Sequence, residues 1–488
     1  MTKRINPLFL IDFYKSDHRS QYPEGTQLVY SNFTPRKSRI KGVNHMTFFG
    51  LQYAIKEYLI NSFNKYFFWQ PKSVAVGKYA HFMRNTLSTP INTDHIGQLH
   101  DLGYLPLEIW ALPEGTDVPL QTPVMTFWNT KPEFFWLTNY LETLLSALLW
   151  KPCTSATTAG LFRQALDYYA QETSDNPEFV DWQGHDFSFR GMSGVEDACM
   201  SGAGHLLHFT GSDTVPAILF LKEYYDADIT NMKTGGSVCS TEHSVMSAGE
   251  EHNELNTIKR LLNIYPDGVL SIVSDTWDLF RLVNEYLPTL KDQIMGRRGK
   301  LVIRPDSHIP HKILNGDPDS TCELEKMGVI RLLDKHFGST INSKGYKDLD
   351  PHVGAIYGDG INLYELRKIL SGMKDNGYSS TNCVFGIGSF TYQYVTRDTF
   401  GTVCKATYIE VDGKPRPIFK SPKTGAWKKS HKGLLRVNED LSVTENVSWD
   451  EQGGMLKPVF KDSVLLREWT LDEIRENAKK SKRGACLV

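Results

Sequence analysis

The 488-residue chain has seven cysteines, an odd number with no C-x-x-C pair among them. That excludes a disulfide framework and a zinc ribbon, and it reads as reduced thiols in a reducing compartment. The tail Cys486-Leu487-Val488 is not a prenylation box. Long apolar runs are missing too. The N-terminal run from Pro7 to Ile11 stops at Asp12 and Lys15, too short for a secretory signal, and nothing approaches the ~20 apolar residues of a membrane span. There is no excess of either charge: 54 Lys and Arg stand against 56 Asp and Glu, for a net charge of −2. This speaks against a nucleic-acid binder but not against small polyanions, which need only a few well-placed Arg, Lys and backbone N–H groups. The familiar nucleotide loops are absent. No GxxxxGK[ST] occurs, and Gly386-Ile387-Gly388 lacks the third glycine of a dinucleotide fingerprint. Gly296-Arg297-Arg298-Gly299-Lys300 matches a phosphate loop only in composition and is expected to be an exposed turn. The expectation is a cytosolic (cytoplasmic) protein without membrane or nucleic-acid partners.

What is present is a recurring pattern between Val269 and Phe390. Four short apolar runs, Val269–Val273, Leu301–Ile303, Val353–Ile356 and Cys383–Phe385, each end in a polar or glycine cluster. The clusters are Ser274-Asp275, Arg304-Pro305-Asp306-Ser307, Gly358-Asp359-Gly360 and Gly386-Ile387-Gly388-Ser389. Helical segments follow the first three, over Trp277–Leu290, Leu324–Phe337 and Leu363–Met373. Strand, polar tip, helix, strand predicts βα units around a parallel sheet, with chemistry at the carboxyl ends of the strands. Asp and Gly also terminate ordinary βα turns, but four tips in succession favour a functional rim. The fold class expected is α/β: an α/β barrel over residues 151–390. A second, mixed α+β domain is expected from the N-terminal part, 1–150, and the strand-rich C-terminal part, 391–488. Phe134–Trp150 reads as one apolar helix, Lys420 to Lys432 as an exposed basic loop, and Thr470 with Glu473 as the capping box of a final helix.

The tips have the chemistry of a sugar-phosphate site. Arg304 offers a planar fork for phosphate oxygens, and Asp306 suits a ribose diol or a hydrated Mg²⁺. The glycines beside Asp359 let backbone N–H groups approach an anion. His243, in Glu242-His243-Ser244, taken alone is more often structural than catalytic. Asp306-x-His308-x-x-His311 fits no zinc pattern.

Taken together, Asp12-Phe13-Tyr14-Lys15, Phe49-Gly50-Leu51-Gln52-Tyr53, Trp136-Leu137-Thr138-Asn139, His185-Asp186-Phe187, Phe189-Arg190-Gly191, Gly211-Ser212-Asp213-Thr214-Val215, Glu242-His243-Ser244, Val273-Ser274-Asp275, Arg304-Pro305-Asp306-Ser307, Gly358-Asp359-Gly360 and Thr396-Arg397-Asp398 resemble the nicotinamide phosphoribosyltransferase family over nearly the whole length. The resemblance implies transfer of a phosphoribosyl group from phosphoribosyl pyrophosphate to nicotinamide, with Mg²⁺ on the pyrophosphate and ATP as an energy-coupling co-substrate. It implies a homodimer with shared sites. Phe187 would stack on one face of the nicotinamide ring and Tyr14, from the other subunit, on the second, with Asp12 near. Asp213 would accept from the carboxamide. Arg190 and His243 would border the pyrophosphate, and Arg304, Asp306, Gly358 and Asp359 would hold the ribose and its phosphate. Gly388 and Ser389 would lie along the 5′-phosphate, with Arg397, Arg36 and Lys405 reaching across the interface. His243 would accept a phosphoryl group, oriented by Asp275. The chain departs from the family at His308, where a glycine is usual, and at Gly388-Ser389-Phe390 in place of a glycine run. Two other readings stay open: a nicotinate-using relative, and a catalytically silent binding or signalling member.

Overall fold

The computed structural model describes residues 5–424 and 429–480. Gly425 and Lys428 of the basic loop, and the tail with Cys486, lie outside the described residues. The chain divides into two compact units, one of residues 158–219 and 228–394, the other of residues up to 157, 220–227 and from 395 onward.

The first unit is built on seven parallel strands: β1 (Gly184–Asp186), β2 (Gly211–Ser212), β3 (Cys239–Ser240), β4 (Leu270–Val273), β5 (Leu301–Arg304), β6 (Val353–Tyr357) and β7 (Cys383–Ile387), in the order β2-β1-β7-β6-β5-β4-β3. Every pairing in this sheet is parallel. A parallel bridge between Gly211 and Gly236 ties β2 to the segment entering β3, so the sheet curls back on itself as a barrel. Strands β4, β6 and β7 are buried almost throughout, which is why they read as continuous β-branched runs rather than alternating ones. Leu270, Ile272, Leu301, Ile303, Val353, Ala355, Phe385 and Ile387 pack in one core with Leu366, Ile369 and Leu370 of the helix Leu363–Asp375.

The other unit mixes the two ends of the chain in one antiparallel sheet of seven strands. Thr26–Thr34 lies between Val403–Val411 and Met125–Asn129, and the sheet continues through Leu107–Ala111 to Lys457–Lys461. Phe33, Ile109, Phe127, Cys404, Val459 and Phe460 share its core. Segments more than 300 residues apart in the chain therefore complete one another's burial.

Two expectations are corrected. Phe134–Trp150 is not one helix: a turn at Pro132–Phe134 and a helix at Leu137–Tyr140 precede a 32-residue helix, Glu142–Thr173, that runs through Pro152. Nor is Gly296–Lys300 simply an exposed turn. Arg297 is buried, and its guanidinium donates to the Tyr265 and Gly268 carbonyls, locking the loop that feeds β4. The helix over Leu324–Phe337 is present, with Gly328 at a φ of 74° interrupting it. The final helix has its capping box: Thr470 N–H donates to Glu473 and Glu473 N–H to the Thr470 hydroxyl. Among the described residues no helix is long and apolar enough to cross a membrane.

Candidate active site

All the barrel residues singled out from sequence stand at the carboxyl ends of its strands. Phe187 follows β1, Asp213 follows β2, His243 follows β3, Asp275 follows β4, and Arg304 and Asp306 end β5. Gly358 and Asp359 follow β6, Gly388 and Ser389 follow β7, and Arg190 lies on a turn, Phe189–Gly191, after β1. Asp12, Tyr14, Arg36, Arg397 and Lys405 belong to the other unit.

Phe187 occupies a seat that glycines make. A Cβ on Gly358 would stand 2.7 Å from the Phe187 ring, and one on Gly386 2.2 Å from it. Gly358, expected to serve an anion, thus also makes room for an aromatic ring, and Gly386 joins it. His185 meets Phe187 edge-on, with centroids 5.1 Å apart. Beneath them a cavity of about 230 Å³ runs from Phe187, Asp213 and Ser237 between apolar walls that include Val238, Val302, Ile356 and Val384. That is smaller than the ~300–1,000 Å³ of drug-sized pockets and suits a small aromatic ring.

Asp213 lies at the cavity mouth, its Oδ1 accepting from His185 Nε2 at 3.0 Å and from the Ser237 hydroxyl. Burial pushes its pKa up, but the bonds from His185 and Ser237 and the Arg304 charge outweigh that and hold it below the usual carboxylate range.

Across the rim, Asp275, Asp306 and Asp359 face one another with Arg304 and His243. Burial and the charges of Asp275 and Asp359 push Asp306 above the usual range, against the opposing pull of Arg304 and His243. Arg304 is fixed by donating to the Ser240 hydroxyl at 3.1 Å and to the Thr241 carbonyl. His243 Nδ1 lies 3.1 Å from the Thr276 hydroxyl. Its Nε2 is 3.9 Å from both Asp275 and Asp306, too far for a hydrogen bond. The ring is held by Thr276, which sequence reasoning passed over, while Asp275 accepts from the Asp306 N–H at 2.9 Å. Among the described residues no three His, Cys, Asp or Glu side chains gather to hold a metal ion.

His308 has a φ of 77°, so the backbone is left-handed at the position where the family's glycine is expected. The Tyr357 hydroxyl pins this turn by donating to the Ser307 and His308 carbonyls at 2.8 and 3.0 Å.

In the other unit, Asp12 accepts from the Thr143 hydroxyl at 2.7 Å, and Tyr14 is 61% exposed, its ring meeting His18 edge-on at 5.1 Å with Lys15 Nζ 5.0 Å from its centroid. Arg36 and Arg397 are close enough for the Arg397 charge, after burial, to lower the Arg36 pKa. Lys405 Nζ lies 3.6 Å from Glu142, which also pairs with Lys15. Glu142, Thr143 and Lys15 were legible only as parts of a helix and of a short motif.

A parallel barrel with Arg, Asp and Gly tips and an aromatic seat is the framework of a phosphoribosyl-transferring enzyme, and residues 182–463 match the nicotinate phosphoribosyltransferase family. The chain is a pentosyltransferase of that group. Residues 6–109 match the nicotinamide phosphoribosyltransferase N-terminal domain. A relative from Acinetobacter baylyi, described as nicotinamide phosphoribosyltransferase, is 48% identical over 98% of this chain and 97% of its own. The chain belongs to the nicotinamide phosphoribosyltransferase family. In fold it is similar to the crystal structure of a nicotinate-nucleotide pyrophosphorylase from Pyrococcus furiosus, with a TM-score of 0.59 at 14% identity, covering 97% of this chain and 95% of that one. It is also similar to human nicotinic acid phosphoribosyltransferase, with a TM-score of 0.53 at 15% identity, covering 96% and 93%.

Proposed function

We propose that the chain transfers 5-phosphoribosyl from phosphoribosyl pyrophosphate to nicotinamide, giving nicotinamide mononucleotide and pyrophosphate for NAD biosynthesis. The observation that carries the reading is that Asp213, its Oδ1 held by His185, lines the ring-sized cavity beside Phe187. A carboxamide offers N–H donors to that carboxylate. A nicotinate carboxylate at ~4 Å would meet repulsion of up to about 4 kcal/mol at intermediate dielectric.

In this reading the pyridine nitrogen attacks C1′ as the C1′–O bond to pyrophosphate breaks, and the leaving group departs as its Mg²⁺ complex. Nicotinamide is a weak nucleophile, so the rate comes from positioning and from stabilising the departing charge. Phe187 and the partner subunit's Tyr14 would hold the ring between them in a homodimer, with the partner subunit's Asp12 beside it. Arg190 and His243 border the pyrophosphate, and Arg304, Asp306, Gly358 and Asp359 take the ribose and its phosphate. Gly388 and Ser389 line the 5′-phosphate, joined by the partner subunit's Arg36, Arg397 and Lys405. His243 is the phosphoryl acceptor through which ATP is coupled, with Thr276 holding Nδ1 and leaving Nε2 toward Asp275 and Asp306. The setting is the cytoplasm.

The test is to incubate the protein with Mg²⁺ and phosphoribosyl pyrophosphate, and with nicotinamide or nicotinate, each with and without ATP. The expected product is nicotinamide mononucleotide, formed faster with ATP. Nicotinate mononucleotide as the main product overturns the acceptor, and no ATP effect removes His243 from its role.

A further inference from the structure

The Asp213 carboxylate is not held by the backbone alone. Its Oδ1 is occupied twice, by His185 Nε2 at 3.0 Å and by the Ser237 hydroxyl, while Oδ2 accepts no hydrogen bond among the described residues. The two donors come from different parts of the barrel: His185 sits on β1, and Ser237 lies just before β3. His185 is itself fixed. It is buried, its ring meets Phe187 edge-on, and Gly211 across the strand pair leaves the space its ring fills, since a Cβ there would stand 2.6 Å from Nδ1.

We infer that His185 and Ser237 form a clamp on Asp213 Oδ1 that aims Oδ2 at the carboxamide, making both of them positioning residues for acceptor recognition. The inference rests on the reading of nicotinamide as the acceptor. A free aspartate side chain rotates about χ1 and χ2 and presents either oxygen. Two donors on one oxygen fix both torsions before the substrate arrives, so less ordering is left to occur on binding. Because Asp213 accepts, Nε2 must carry the hydrogen, which leaves Nδ1 unprotonated in the neutral ring. The donors also hold Asp213 below the usual carboxylate range, along with the charge of Arg304 on β5, while burial pushes the pKa of the nearby His205 down. His185 also links the two halves of the ring site, holding the polar anchor through Nε2 and bracing Phe187 through its ring edge.

The clamp predicts a particular kinetic signature. It acts on where Oδ2 points, so its loss should appear in the KM for nicotinamide rather than in kcat or in the KM for phosphoribosyl pyrophosphate. Three variants are compared with wild type at saturating Mg²⁺. Ser237→Ala, at an exposed position, removes one donor; His185→Leu removes the other; and His185→Gln returns an N–H near the place of Nε2. Ser237→Ala and His185→Leu should each raise the nicotinamide KM about 10-fold, the worth of one charge-assisted hydrogen bond. Ser237→Ala, which leaves the ring contact intact, should keep kcat and the phosphoribosyl pyrophosphate KM within about 2-fold, and His185→Gln should recover most of the His185→Leu loss in nicotinamide KM. An unchanged nicotinamide KM in Ser237→Ala overturns the clamp, and this holds even if His185→Leu does not fold. So does a loss shared equally by both substrates, which is the mark of general distortion. Wild-type protein that turns over nicotinate but not nicotinamide overturns the acceptor reading itself, and the clamp with it, and this is seen before any variant is made.

Discussion

Gly386→Ala is the sharpest perturbation of the ring site. The added methyl would lie 2.2 Å from Phe187 Cδ2, 2.5 Å from Cε2 and 2.8 Å from the Gly358 Cα. Ordinary contact begins at 3.4 Å, so the ring or the strand must give by about 3.4 − 2.2 = 1.2 Å. The strand cannot yield freely, because Gly386 is paired with His185 in the β1–β7 register and Phe187 N–H donates to the Ile387 carbonyl next door. Gly358 is packed against the same ring edge, so the methyl finds no room beside Gly386 either. Phe187 is therefore expected to rotate out of its stacking position. Misplacing a reacting group by ~1 Å costs on the order of 100-fold, and overpacking a core site costs about 1–3 kcal/mol of stability. Steady-state rates with nicotinamide varied at fixed phosphoribosyl pyrophosphate measure the first, and thermal unfolding the second. The expected result is kcat/KM for nicotinamide down about 100-fold with the KM for phosphoribosyl pyrophosphate nearly unchanged. A folded Gly386→Ala protein with wild-type nicotinamide kinetics would refute the steric argument and the role of Phe187 built on it.

Further outcomes follow from the rim and from the other unit. Asp359→Asn removes one of the charges that push Asp306 up, so the Asp306 pKa falls. Activity that needs Asp306 ionised is lost as pH drops through that pKa, so the acid limb of the kcat/KM profile should move to lower pH; a limb that stays in place contradicts the assignment. His308→Gly relieves a left-handed backbone at φ 77° and should stabilise the protein by about 1 kcal/mol; a lower unfolding midpoint speaks against strain there. Mixing inactive Tyr14→Ala with inactive Asp306→Ala subunits should restore part of the activity, because one site per hybrid keeps both residues. Hybrids that form, as mass spectrometry can show, but stay inactive would exclude shared sites.

The parts of the fold that showed in sequence are those where burial dominates the pattern. Strands β4, β5, β6 and β7 are short, mostly apolar runs and the helix Leu363–Asp375 places Leu363, Leu366, Ile369 and Leu370 at helical spacing, so the polar tips between them stand out by contrast. Strands β1, β2 and β3 are two or three residues long and carry His185, Asp186, Ser212 and Ser240, so no periodicity marks them. They entered only through the family's motifs. The helix broken before Glu142 was invisible because Leu137, Leu141, Leu144, Leu145 and Leu148 keep one apolar spacing across the break. Residue types told which groups carry chemistry, but not which touch. That His243 is held by Thr276 rather than Asp275, or that Gly358 and Gly386 seat an aromatic ring, depends on distances between different strands.

The central claim is that an ionised Asp213 selects the amide, and internal competition tests it most directly. Equal concentrations of nicotinamide and nicotinate are offered together with Mg²⁺ and phosphoribosyl pyrophosphate, and the two mononucleotides are quantified at low conversion for wild type and for Asp213→Asn. The side chain keeps its shape in the variant, loses its charge and gains a donor. Wild type should yield predominantly nicotinamide mononucleotide, and the variant should narrow the product ratio by at least ~10-fold, about 1.4 kcal/mol. An unchanged ratio in well-folded Asp213→Asn, with both products reduced alike, would contradict the claim.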